Sequence, residues 1–243
     1  HPDALAGDYT WLSPYCYCAN NPVNASDPTG MTVEWDEGTD GIVNHNHKTA
    51  MDSGIYRKIF EELSRPENTY TIKFGEISEP GIFIPNPDGK GGTIIYNNKL
   101  KLDDNTSIAT SPNMVQFAEE MYHAYQFEMK SRSTENANLE MEANLEMEAK
   151  TASFIISIQS TGVVSSGLMP DTQIYRNNIL TVPKDGDPPI VNALKDRETF
   201  EQRYLESGEQ FRIYNKDIEH YNVPVNFVPQ RLINLIIEDG IWK

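Results

Sequence analysis

Residues 117–126 read Phe-Ala-Glu-Glu-Met-Tyr-His-Ala-Tyr-Gln. On a helix Glu119 and His123, four positions apart, share a face, with Glu120 beside them. A carboxylate and an imidazole one turn apart are two ligands for a divalent cation. Two ligands do not hold an ion, and the next stretch is rich in candidates. It reads Asn138-Leu139-Glu140-Met141-Glu142-Ala143 and repeats as Asn144-Leu145-Glu146-Met147-Glu148-Ala149. Six residues turn a helix by about 600°, so the copies point about 240° apart and cannot both face one metal alike. Glu142 and Glu146, four apart, share a face. The repeat reads as a tandem duplication in which one copy keeps the original role. The second copy runs straight into Ala152-Ser153-Phe154-Ile155-Ile156, the part of the helix most suited to burial. Glu146 is therefore the preferred third ligand, with Glu148 and Glu142 as alternatives.

The two motifs, over about residues 113–155, resemble those of zinc-dependent peptidases. There a His-Glu-x-x-His helix is followed by a helix bearing Glu-x-Glu-Ala. Tyr122, Tyr125 and Gln126 resemble the His-Ala-Tyr-Gln ending of such helices. The resemblance implies that His123 and Glu146 are ligands, that Glu120 is the general base, and that Glu119 stands where the first His belongs. The implied cofactor is zinc or another divalent metal. The departure at Glu119 matters, because two carboxylates and one imidazole are harder and more anionic than the family's set. Such a set binds zinc weakly, prefers another divalent ion, or binds none. The plainer reading is a solvated acidic helix face, since residues 115–150 carry eight acidic side chains against three basic ones.

These residues need elements to hold them. Ser111 is a suitable N-cap and Pro112 a suitable first helical residue. Met114, Ala118, Met121, Tyr122 and Tyr125 then form an apolar stripe. A second helix is expected over 136–159. Met51, Ile55, Ile59, Phe60 and Leu63 predict a helix over 48–64. Strands are expected at 69–74, 81–85 and 93–96, divided by the turn signals Asn86-Pro87-Asp88-Gly89 and Gly91-Gly92. Residues 31–47 read as a linker and 161–192 as irregular, with shorter helices at 196–207 and 229–238. The fold class expected is α+β: a small antiparallel sheet, a zincin-like helix pair and additional C-terminal helices.

The chain has 243 residues and a formal net charge of −16. That charge repels phosphate and argues against a nucleic-acid partner or an anionic membrane surface. Apolar residues are 38%, and the 15 glycines bring the total close to a globular composition. No apolar run is long enough to span a membrane. Cys16 and Cys18 are too close for an unstrained disulfide and read as packed thiols. His45 and His47 fall in the expected linker, His220 in an expected loop. No Gly-x-Ser-x-Gly elbow, phosphate loop or CxxC pair is present.

Residues 1–30 differ from the rest: short aromatic pieces lie between Asn-Pro and Asp-Pro turns. Pro2 to Ala6, Tyr9, Ser13-Pro14-Tyr15, Tyr17-Cys18, Asn20-Asn21-Pro22-Val23 and Asp27-Pro28-Thr29-Gly30 resemble the end of the Rhs repeat-associated core domain. His1 precedes that family's Asp-Pro, and Gly7-Asp8 stands where Glu-Lys is usual. The resemblance implies a boundary near Gly30. Residues 1–30 would then close a large β shell, and 31–243 would form a variable C-terminal domain, often a toxin. The implied partners are the upstream β shell, a protein substrate and an immunity protein. The implied location is outside the cell, secreted or delivered at the surface as part of a longer bacterial protein. The first expectation for function is thus an Rhs-type effector domain resembling a metal-dependent peptidase. The alternatives are a non-catalytic binding or structural domain with a degenerate metal site, and a toxin of another class such as a nuclease.

Overall fold

The structure, a computed structural model, describes residues 33–35, 41–101, 107–109, 112–132, 142–162, 194–214 and 227–242. The order of elements is β1 (Val33–Trp35), α1 (Ile42–Ala50), α2 (Gly54–Leu63), β2 (Tyr70–Gly75), β3 (Gly81–Pro85), β4 (Gly92–Asn97), β5 (Lys99–Lys101) and β6 (Ser107–Ala109). The helices α3 (Met114–Arg132), α4 (Glu142–Thr161), α5 (Arg197–Tyr214) and α6 (Gln230–Glu238) follow. The fold is α+β, as the alternation of patterns indicates.

The main sheet has the order β1-β2-β4-β3. It is mixed, which corrects the antiparallel sheet expected from the sequence. β1 pairs parallel with β2, β2 pairs parallel with β4, and only β3 is antiparallel. The hairpin β3–β4 folds back so that β4, not β3, lies beside β2. Tyr70 and Ile72 of β2 and Ile94 and Tyr96 of β4 are buried on one face, while Thr71, Lys73, Thr93 and Ile95 alternate with them. The hairpin is tied to α3 at Gly91, whose amide donates to the buried carboxylate of Glu128 at 3.2 Å. Gly91 has φ +72°, and a Cβ there would stand 2.0 Å from the Thr69 carbonyl oxygen, so only glycine fits.

α3 lies against β3, β4, α1 and α2 and packs most extensively on α4. Phe117 meets Tyr56 of α2 and Tyr96 of β4, and the Tyr96 hydroxyl donates to the Phe117 carbonyl at 2.8 Å. α4 is buried nearly all round, from Ala143 through Met147, Ala152 and Phe154 to Ile158, as befits a central helix. The cap of α3 differs from the expectation. Asn113 accepts from the Gln116 amide at 2.9 Å, and Gln116 accepts from the Asn113 amide at 3.0 Å, a reciprocal capping box. Ser111 lies outside the described residues.

The expected linker at 31–47 is corrected as well. Val33–Trp35 is an edge strand, and α1 begins at Ile42 with Val43 and Ala50 fully buried. The polar residues of this stretch are used internally. Asn46 donates to the Pro112 carbonyl at 2.9 Å, and His47 packs between Trp35 and Phe60 with Nδ1 2.9 Å from the Tyr56 hydroxyl. Burial, with a smaller contribution from Lys48, lowers the His47 pKa to about 4, so it is a neutral, half-buried ring packed among aromatic side chains. The single helix expected over 48–64 is two, broken at Met51–Ser53, where Ser53 caps α2 by accepting from the Tyr56 amide at 3.2 Å. The sequence readings for 1–30, for 161–192 apart from the last residues of α4 and Gly162, and for the start of the second helix lie outside the described residues. Among the described residues no helix is long and apolar enough to cross a membrane.

Candidate metal centre

α3 presents Glu119, Glu120 and His123 from its middle turns, and α4 presents Glu146 and Lys150 across from them. One ligand-type atom each from Glu119, His123 and Glu146 lies within 4.8 Å of the others. Nε2 of His123 is 3.3 Å from Oε2 of Glu146. The side chains are 14–22% exposed, so the cluster is sheltered yet open to a small ligand. Glu146, the preferred ligand on the second helix, thus joins His123 and Glu119. Glu148 does not: it lies two positions along α4, about 200° around the axis, and is turned to the interior. There it meets Tyr122, Gln126 and Arg231. Glu142 is the first residue of α4, and its side chain lies outside the described ones.

Lys150 is the residue that sequence reasoning missed. Its ammonium lies 2.6 Å from Oε1 of Glu119 and 2.9 Å from Oε1 of Glu146, bridging the two carboxylates. A signal existed, since Glu146 and Lys150 are four apart on a helix, the spacing of a favourable ion pair. The reach to Glu119 depends on how α3 packs on α4 and leaves no local trace.

Burial disfavours every charge here, and partners decide the outcome. For Lys150, burial is outweighed by Glu119 and Glu146, and the ammonium is held charged. For Glu146, burial is outweighed by Lys150 and His123, which hold the carboxyl well below the usual range. Burial pushes Glu119 up, and the Glu146 charge adds to this against the pull of Lys150. Burial likewise takes Glu120 up to about 8, opposed by His123. His123 is lowered by burial, yet its hydrogen bond to Glu146 and the surrounding carboxylates carry it up to about 9. The cluster therefore contains its own counter-charges.

Glu120 sits at the sheet side of the cluster. A Cβ on Gly81, the first residue of β3, would come within 2.6 Å of the Glu120 Cγ, so the edge strand passes directly over this side chain. Among the described residues β3 pairs only with β4, and Ile82 and Ile84 on it are exposed.

The donor set fits a divalent cation. Two carboxylate oxygens and an imidazole nitrogen converge, and small movements bring them to coordination distance. The fit requires the Lys150 ammonium to give up its place, which its 20% exposure allows. Compared with protein families, with curated proteins and with solved structures, the chain matches none.

Proposed function

We propose that this chain is a metal-dependent hydrolase domain of the peptidase type, carried at the C-terminal end of an Rhs-type bacterial protein and delivered outside the producing cell. The observation that supports it is the convergence of Glu119, His123 and Glu146 within 4.8 Å, with Glu120 beside them. Glu119, His123 and Glu146 would hold the divalent ion. When bound, the ion supplies Lewis acidity that polarises a carbonyl and makes water a better nucleophile. Glu120 accepts a proton from water at its carboxylate oxygen and returns it to the leaving amine. Its carboxyl is mostly protonated at neutral pH as it stands, and added positive charge nearby draws its pKa down toward a working base. The outer edge of β3 beside Glu120, which pairs with no further strand among the described residues, suits an extended peptide, which adds to a sheet edge through backbone hydrogen bonds.

Lys150 supports a second reading, in which the ammonium is the permanent cation and the domain binds or supports a partner without catalysis. Hydrolysis of an unstructured protein by the purified chain with zinc or manganese, lost in Glu120→Gln, is the result expected of the first reading. A chain that binds neither ion and cleaves nothing leaves the second.

A further inference from the structure

Gln126 lies one turn beyond His123 on α3 and is almost wholly buried. Its amide nitrogen donates to the Leu145 carbonyl at 2.9 Å and to Oε2 of Glu148 at 3.0 Å. A carbonyl and a carboxylate paired with arginine accept hydrogen bonds and have no proton to give. The reversed amide would set its oxygen against both, so only one orientation satisfies the group. Oε1 of Gln126 must then face His123, and it lies 3.0 Å from Nδ1. An oxygen acceptor there requires a proton on Nδ1, which leaves Nε2 turned toward Glu146.

The partner that fixes Gln126 is itself fixed. The Glu148 carboxylate receives Arg231 Nη2 at 2.7 Å, the Leu232 amide at 3.2 Å and the Tyr122 hydroxyl at 3.2 Å. A chain of hydrogen bonds thus runs from α6 through Glu148 and Gln126 to the far nitrogen of His123. Groups behind a metal-binding histidine act in this way, setting its tautomer and ring orientation.

We infer that Gln126, held by Glu148 and Leu145, is the positioning residue of the site, keeping a proton on Nδ1 of His123 and aiming Nε2 at Glu119 and Glu146. The inference rests on the metal-site reading for its purpose, and on hydrogen bonding alone for its geometry. The test is histidine side-chain 15N–1H NMR of the full chain, free of metal at neutral pH and assigned with His123→Gln, together with calorimetric titration of zinc and manganese. The wild type should show a slowly exchanging proton on Nδ1 of His123, and in Gln126→Met that proton should exchange with water much faster. Zinc affinity should fall about 10–100-fold in Gln126→Met, the usual effect of removing a group behind a ligand. A wild type with a bare Nδ1 overturns the inference, whether or not the variant folds. A folded Gln126→Met that binds zinc as the wild type does also overturns it. If the wild type binds neither ion, the metal reading fails separately, and the Nδ1 proton still decides for or against positioning by Gln126.

Discussion

Replacing Lys150 with Met removes the ammonium that Glu119 and Glu146 share and leaves His123 as their nearest counter-charge. Deleting one partner of a buried ion pair costs ~3–5 kcal/mol. These side chains keep 14–20% of their surface open to water, so screening brings the expected loss to about 2–3 kcal/mol. At ~2–4 °C per kcal/mol for a domain of this size, the metal-free melting temperature should fall by ~4–12 °C. A divalent ion at 100 times its dissociation constant restores ~2.7 kcal/mol, or ~5–11 °C. In the wild type the same ion must first displace the ammonium, so an equal concentration should raise the melting temperature less. The assay is thermal unfolding of chelator-treated protein at pH 7.5, with and without zinc or manganese. An equal metal-induced rise in both proteins would refute the claim that Lys150 occupies the cation's place. So would a metal-free Lys150→Met that melts with the wild type.

Arg231→Met should destabilise the chain by ~3–5 kcal/mol in urea titration, because the Glu148 carboxylate is 3% exposed and loses its only cationic partner among the described residues; an unchanged midpoint would place Arg231 outside the core network. Gly91→Ala should cost more than Gly89→Ala in thermal melts, since both have positive φ but only residue 91 would press a Cβ against the Thr69 backbone. Stability should decline from near pH 6.5 to pH 9; below that range His47, whose folded pKa of about 4 lies under its unfolded 6.5, gains stability as pH rises and offsets Glu120. The folded state retains the Glu120 proton up to about 8, and the His123 proton, bound above the unfolded value of 6.5, up to about 9. Glu119, Glu120, Glu146 and Lys150 are the charges that face this histidine, and each titrating group contributes at most ~1.4 kcal/mol per pH unit. His123→Gln should flatten the upper part of that decline, and urea midpoints that hold steady in the wild type from pH 6.5 to 9 would contradict it.

The local features were readable where one stretch carried its own signal. Gly81–Pro85 begins and ends as expected because the turn residues on either side punctuate it. The helical stripe through Met114, Ala118, Met121 and Tyr125 is buried for the same reason, and it set Glu119 and His123 on one face. What the sequence hid was pairing at a distance. Alternation tells that β2 and β4 have a buried face but not that they run parallel. The break at Met51–Ser53 was hidden because the apolar spacing carries across it, although Ser53 is an ordinary N-cap. The cap lies two residues beyond Ser111, at Asn113, because Ser-Pro and Asn-x-x-Gln both satisfy capping rules and only the packed helix chooses between them. Attention to carboxylates made Glu148 resemble a ligand, whereas its partner Arg231 is 83 residues away.

That separation has a consequence for synthesis. Glu148 leaves the ribosome long before Arg231 and Leu232, its partners on α6. At ~5–20 residues per second the interval is about 4–17 s. Over that time α4 can pack on α3 only by burying an acidic group that lacks its arginine. The finished arrangement of Gln126 and His123 therefore waits on α6, whose Arg231 is made 83 residues after Glu148. A nascent chain stalled before residue 231 should hold its α3–α4 pair loosely, with the cluster unformed until α6 arrives.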